Sequence, residues 1–255
     1  SRSEFLRIFK KTDPNGIFVC RKQKELLRRT KYGLKLNRYC EDFFREKMPN
    51  SYFSYGQAYC RESPVYLKGR LLLNSNSFMV EDFNIYSILE GSRICRMAIQ
   101  RCASHSVGAA ITNLLTYQAY KDDYLVPYKV GVYEKIKPFR QLVECDRGAY
   151  TLEPYVGLHK DVAEIDFVSM FPSIISRYNL SPEKLGSGKT IIGTKYQFCQ
   201  KEKGIVPKVC DYLIDRRMYF KKKRGHISKS KTGYLKWLLV VIFGFQSFRN
   251  KKIGC

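Results

Sequence analysis

Acidic residues are scarce in this chain. Its 255 residues hold 23 Asp and Glu against 46 Lys and Arg, a formal net charge of +23. That imbalance implies a polyanionic partner, with nucleic acid, an anionic membrane and an acidic protein as the candidates. Long apolar runs are missing too. The longest, Trp237 to Phe245, has nine residues, too few to span a bilayer, and no signal peptide is visible. The nine cysteines, at 20, 40, 60, 95, 102, 145, 199, 210 and 255, include no Cys-x-x-Cys pair. A zinc ribbon and a thiol redox motif are therefore unsupported, and the odd count in a chain this size fits a reduced, intracellular protein. His105, His159 and His226 lie far apart and form no metal constellation. Ser173 has no neighbouring base for nucleophilic catalysis. The single tryptophan, Trp237, sits in an apolar helical stretch and reads as core.

What is present suits a folded, nucleic-acid-handling protein. Hydrophobic content is 44%, too high for a disordered tail. Nineteen tyrosines and sixteen phenylalanines accompany the cations, a combination suited to base stacking and backbone tracking. Along the chain, Gly16 to Cys20 reads as a strand and Lys22 to Lys31 as an amphipathic helix. Val65 to Val80 reads as two strands broken at Asn74-Ser-Asn-Ser77. Ile85 to Ile99 and Val107 to Tyr120 read as helices, the second ended by Asp122-Asp123. Gln141 to Cys145, Ala149 to Glu153 and Val162 to Phe167 read as strands. A glycine-bearing linker, Ser181 to Gln200, precedes two helices. The first runs from Pro207 to about Arg224 and the second from about Thr232 to Ile242. The short join Gly225 to Lys231 makes them an antiparallel hairpin.

The chemistry centres on Glu164-Ile-Asp-Phe-Val-Ser-Met-Phe-Pro-Ser-Ile-Ile175. An apolar strand pattern runs into Asp166, and a tight turn and a proline-started helix follow at once. Ile165 and Phe167 would point into a core, leaving Asp166 on the opposite face. One acid then stands beside exposed backbone N–H groups at a helix start, where a divalent metal and a phosphate chain can bind side by side. By spacing alone, Asp166 reads equally well as a surface helix N-cap.

Asp166 to Ile175, followed by Tyr178-Asn-Leu-Ser-Pro-Glu183, resembles motif A of family B DNA polymerases, with the archaeal versions nearest. The resemblance implies that Asp166 binds two catalytic Mg²⁺ ions, aided by the Phe167 carbonyl. It implies that the turn at Ser169 and Met170 holds the incoming triphosphate. It also implies that the ring of Phe171, where the family usually has Tyr, lies under the sugar and excludes a 2′-hydroxyl. Leu213-Ile-Asp-Arg-Arg-Met-Tyr-Phe-Lys221 is similar to the family's Leu-Leu-x-x-Arg-x-x-x-Lys pattern on its fingers. Lys236-Trp-Leu-Leu-Val-Val-Ile-Phe-Gly244 resembles motif B, Lys-x-x-x-Asn-Ser-x-Tyr-Gly. Arg217 and Lys221 share one helix face, as do Lys236, Val240 and Phe243. The resemblance assigns Arg217, Lys221 and Lys236 to the triphosphate, with Lys236 also a proton donor to pyrophosphate. It assigns Phe243 and Gly244 to DNA. Without it, Lys221 to Arg224 reads as a solvated basic run. Glu144 to Pro154 resembles the family's Tyr-x-Gly-Gly element, which brings Arg147, Gly148 and Ala149 to the template backbone. It reads otherwise as a plain hairpin turn.

The implied fold class is α/β, or α+β in several domains. A degenerate 3′–5′ exonuclease-like domain, an RNase H-like remnant, would occupy residues 1–126. The first part of the palm would occupy 127–180, antiparallel two-helix fingers 181–250, and the start of a return to the palm 251–255. Val240-Val241 replace the family's Asn-Ser pair, as in a divergent archaeal branch. Val19-Cys-Arg-Lys-Gln-Lys24 puts cations where an exonuclease acid is expected, so proofreading should be absent. The chain starts without Met and stops at Cys255 before any Asp-Thr-Asp type motif, which reads as a fragment unable to extend primers alone. Primer–template DNA and a deoxynucleoside triphosphate are the implied partners, with no membrane. A retired polymerase serving as a replication scaffold is the alternative. So is one subunit of a split enzyme, whose second chain would supply the rest of the palm and the thumb.

Overall fold

Among the described residues, short strand pairings come first and a block of helices holds the core. The structure, a computed structural model, describes residues 16–19, 45–46, 50–54, 57–61, 65–67, 69–74, 78–126, 136, 138–140, 143, 151–191 and 196–246. Strand β1 (Gly16–Val19) runs parallel to β6 (Leu71–Asn74), with Gly16 opposite Leu71 and Val19 opposite Asn74. Between them, β2 (Arg45–Glu46) pairs antiparallel with β5 (Val65–Tyr66). β3 (Asn50–Ser54) pairs antiparallel with β4 (Gln57–Arg61). The expected strand at Gly16 is present. The expected helix over 22–31 lies outside the described residues.

Phe78 to Val80, expected as the second strand, open a helix. This is helix α1 (Phe78–Cys95), bent at Asn84, whose φ is 55°. The reason lies in the burial period: Phe83, Ser87, Ile88, Glu90, Ile94 and Cys95 turn inward at helical, not strand, spacing. The helix expected to reach Ile99 stops at Cys95, where Arg96 adopts a left-handed φ of 53°. A separate helix, α2 (Ile99–Ser104), follows. α3 (Val107–Lys121) matches its expected span and ends at Asp122.

The strand expected over 162–167 does not form. Residues 151–168 are irregular and exposed, with Ile165 and Phe167 92% and 74% exposed, so neither side chain enters a core. A strand needs a hydrogen-bonded neighbour. Most of the two segments expected to provide one lies outside the described residues. Helix α4 (Met170–Arg177) then leads to a 3-10 turn (Pro182–Lys184). The expected linker contains a hairpin of β7 (Leu185–Thr190) and β8 (Gln197–Phe198). Two long helices close the described chain, α5 (Ile205–Lys222) and α6 (His226–Gln246). Their join is only three residues, with Gly225 at φ +121°, so α6 starts well before Thr232. Pro207 falls in the first turn of α5, where its missing N–H leaves no gap in the helical ladder.

The hairpin is not free-standing. Tyr234, Leu235, Leu238, Leu239 and Ile242 of α6 are buried with Leu213 and Val206 of α5, and with Ile88 of α1 and Ile111 and Leu115 of α3. Full burial of side chains this size stabilises by about 1.5–3 kcal/mol each before the cost of ordering them. Charged contacts border the same seam. Glu90 on α1, only 4% exposed, accepts from Arg216 Nε at 2.6 Å and lies 3.4 Å from Lys231 Nζ. Ser87 meets Ser230, whose hydroxyl donates to the Phe83 carbonyl. Trp237, expected in the core, is 44% exposed and meets the edge of Phe83. Cys95, Cys102 and Cys210 are free, buried thiols. Burial pushes the Cys210 thiol up to about 12, so it is protonated and inert at neutral pH.

Lys208 of α5 reaches Asp122 at 2.9 Å. Burial tends to raise the Asp122 carboxyl, but hydrogen bonds from Lys208 and Gln118 and the charges of Lys208 and Lys121 hold it below its usual value. A depressed carboxylate stabilises above its unfolded pKa of about 4 and loses that increment as pH falls through the lowered value. Asp122→Asn should therefore lower the urea midpoint at pH 6 and leave the midpoint at pH 2 unchanged.

Candidate nucleotide site at the α4 turn

Asp166 is exposed just ahead of the turn that starts α4. Ser169 makes that turn, with φ 50° and ψ 52°. A non-glycine residue held left-handed costs of order 1 kcal/mol and marks a position fixed by its surroundings. Its surroundings are α5: Arg217 Nη1 donates to Ser169 Oγ at 2.8 Å. The Nε of Arg217 is buried without a hydrogen-bond partner. An orphaned guanidinium N–H is costly unless an acceptor completes it, and an anionic oxygen suits it best. Ser173 donates to the Val168 carbonyl at 3.0 Å and tightens the same turn.

The second helix of the hairpin meets this turn through aromatic rings. Phe171 stacks on Phe243 with centroids 4.2 Å apart and planes 14° from parallel. Such a pair contributes about 0.5–1.5 kcal/mol beyond its buried area. Thus Ser169, Phe171, Arg217 and Phe243 are brought together. Met170 opens α4 and is exposed, as are Lys221, Lys236 and Gly244. Lys221 lies one turn beyond Arg217. Lys236 lies about 10 Å along α6 from Phe243, by the rise of a helix. Among the described residues, neither lysine forms a hydrogen bond or ion pair with the Ser169 turn. Arg147, Gly148 and Ala149 lie outside the described residues. Val240 is exposed, so the valine pair leaves an apolar step between Lys236 and Phe243.

For a divalent metal, Asp166 and the Phe167 carbonyl are hard oxygen donors of the type Mg²⁺ takes. Among the described residues, no group of three or more His, Cys, Asp or Glu side chains converges on a common point. The donors fit in kind and fall short in number.

Sequence reasoning found the four residues at the turn but not their partnerships. It also missed the residues that anchor α5. Asn179, Ser181 and Glu183 accept hydrogen bonds from the backbone N–H groups of Gly204, Ile205 and Val206. Asp211 accepts from Ser176 and from Lys203. The signal for the first group was the Tyr178 to Glu183 stretch itself, rich in side chains that bond to backbone.

A left-handed turn is thus packed against two helices that carry cations, in a chain of mixed α/β build. The sequence model of DNA polymerase family B matches residues 96–235, more than half of the chain. The chain belongs to that family. It is 31% identical over 167 residues to "DNA polymerase 2" of Saccharolobus solfataricus, a match covering 66% of this chain and 26% of that protein. It is 31% identical over 177 residues to a DNA polymerase of Pyrococcus glycovorans, covering 64% and 22%. The chain thus spans about a quarter of the length of these relatives. The structure of the family B DNA polymerase from Pyrobaculum calidifontis superposes with a TM-score of 0.63 at 16% identity, covering 99% of this chain and 41% of that one. That likeness speaks for the fold. Among the described residues, no helix is long and apolar enough to cross a membrane.

Proposed function

We propose that this chain contributes the nucleotide-holding half of a DNA-directed DNA polymerase site. The observation that carries the proposal is the Arg217–Ser169 contact, with the unpartnered Arg217 Nε beside the turn after Asp166. In the proposed reaction the primer 3′-oxygen bonds to the α-phosphorus of a deoxynucleoside triphosphate as the bond to pyrophosphate breaks. Arg217 holds phosphate oxygens through its fork, and Lys221 and Lys236 add point charges. Lys236 is also suited to hand a proton to the departing pyrophosphate. The turn amides at Ser169 and Met170 face the phosphates, and the Phe171 ring, backed by Phe243, forms the floor under the sugar. Gly244 and the Arg147-Gly148-Ala149 turn are assigned to primer–template DNA. Asp166 and the Phe167 carbonyl would hold magnesium, which when bound offsets phosphate charge. The chain's own share is positioning and electrostatic stabilisation. The exonuclease-like region is proposed to be inactive, since cations occupy Arg21, Lys22 and Lys24. No observation favours the scaffold or the split-subunit reading over this one.

The test replaces Lys236 with Ala. Affinity for a deoxynucleoside triphosphate should fall by about tenfold, the scale of one hydrogen bond to a charged group. Affinity for primer–template DNA should change little. Equal losses would reassign Lys236 to the DNA backbone. DNA binding by the parent chain should weaken steeply with salt, by roughly one logarithmic slope unit per phosphate neutralised. A flat salt response would remove the basic surface as the DNA track.

A further inference from the structure

Helix α5 has no capping side chain of its own. Its N-cap is Gly204, and the first N–H groups of the helix would be orphaned. They are satisfied from the segment that follows α4. Gly204 N donates to Asn179 Oδ1 at 2.8 Å, Ile205 N to Glu183 Oε1 at 2.6 Å, and Val206 N to Ser181 Oγ at 3.1 Å. The receiving side chains are themselves locked. Asn179 Nδ2 donates to the carbonyls of Cys199 and Glu202 at 2.6 and 2.8 Å, and Ser181 Oγ donates to Glu183 Oε2 at 2.8 Å. Asn179 is 5% exposed and Ser181 fully buried. Gly204 must be glycine for this approach, because a Cβ there would lie 2.5 Å from the Ser181 Cβ.

Asn179 does two jobs. Its φ of 55° ends α4 in the left-handed conformation, and Leu180 N donates back to the Ile175 carbonyl at 3.0 Å, as in a Schellman turn. Glycine would serve that role as well. Only a side chain with both an acceptor and donors can also fasten α5. The fastening is the first rung of a ladder. Ser176 donates to Asp211 further along, and Ser169 accepts from Arg217 at the far end. The rungs climb α5 as they descend α4, so the two helices run antiparallel. They fix α5 relative to the Ser169 turn over about 18 Å.

We propose that Asn179, Ser181 and Glu183 are positioning residues for Arg217. By clamping the root of α5 to the end of α4, they set the axis that delivers the guanidinium to the Ser169 turn. The functional part of this rests on the reading of Arg217 as a phosphate ligand.

The experiment uses the isotope-labelled 255-residue chain. The Arg217 Nε–H resonance is assigned by its loss in Arg217→Lys. Binding of a deoxynucleoside triphosphate and of primer–template DNA is measured at one salt concentration. Asn179→Gly keeps the left-handed backbone and removes only the carboxamide. It should shift or broaden the Arg217 resonance. It should also weaken nucleotide binding about tenfold, within the range for a misplaced positioning element, while DNA affinity holds within about twofold. Glu183→Ala should do the same in smaller degree. Glu183→Gln retains an acceptor for Ile205 N–H but loses the one for the Ser181 hydroxyl, and should fall between the parent and Glu183→Ala. If Asn179→Gly does not fold, the two Glu183 variants decide. The proposal is overturned if amide protection at 204–206 is lost while the Arg217 resonance stays unchanged, for the cap is then local. If the parent binds no nucleotide, the phosphate reading of Arg217 falls, and the resonance alone decides the positioning claim.

Discussion

Arg217→Ala should lower the affinity of the chain for a deoxynucleoside triphosphate by about 10- to 100-fold, the equivalent of roughly 1.5–3 kcal/mol for hydrogen bonds to a charged group. The size follows from geometry. One terminal nitrogen is already committed to Ser169, and Nε is buried with no partner, so the fork is oriented before any ligand arrives. A preset fork loses less freedom on binding than a lysine would. Arg217→Lys should therefore recover only part of the loss. DNA affinity should change by about twofold or less, because one charge among 46 basic residues alters a distributed backbone contact little. Titration with a fluorescent nucleotide, beside DNA binding at the same salt, measures both. Unchanged nucleotide affinity in Arg217→Ala would sink the proposed site, wherever the other cations lie.

The second large effect is on stability. Glu90→Ala should destabilise the protein by about 3 kcal/mol, the lower end of the range for breaking a buried ion pair. Glu90 is 4% exposed and faces Arg216 and Lys231, whose side chains are 28% and 21% exposed. Without the carboxylate, two cations converge on a pocket with no counter-charge. Water reaches both, which keeps the cost from the upper end. Both helices of the hairpin contribute a cation, so the loss falls on the seam between the hairpin and α1. A fall in the thermal midpoint of roughly 6–12 °C is expected for a domain of this size. Pairing Glu90→Met with Arg216→Met should recover much of it, since apolar side chains of similar volume fill such sites without desolvating charge. A Glu90→Ala midpoint within about 1 °C of the parent would mean that the carboxylate contributes nothing measurable to the seam.

Local pattern made several elements legible. α3 was visible because its apolar period and its terminating Asp122-Asp123 agree. The α5–α6 hairpin was visible because Pro207 opens the first of two apolar stripes and Gly225 separates them. Family likeness then singled out Ser169, Phe171, Arg217 and Phe243, which the fold gathers at one turn. Non-local effects were not legible. Phe78 to Val80 is apolar and β-like over three residues, yet it begins a helix whose inward face is decided by partners more than a hundred residues later. Val162 to Phe167 alternates like a strand, but alternation supplies no neighbour to pair with. Trp237 was assigned to the core by its apolar surroundings, whereas the inward stripe of α6 runs through Tyr234, Leu238 and Ile242 and leaves the indole at the rim. Glu90 gave no signal, since one acid in a helix is ordinary until its two cationic partners are known.

The shared core has a consequence for how such a chain can change over generations. Ile88, Ile111 and Leu115 form the wall against which the α5–α6 hairpin is folded. Substitutions at exposed positions of α1 and α3, such as Tyr86, Leu89 and Tyr120, meet little resistance, because they touch no part of that wall. Deleting α1 and α3 would strip α5 and α6 of their backing and expose Leu213, Leu238 and Ile242 to water. Helices of this kind can therefore persist whatever their own outer faces become, kept as the mould in which the hairpin takes shape.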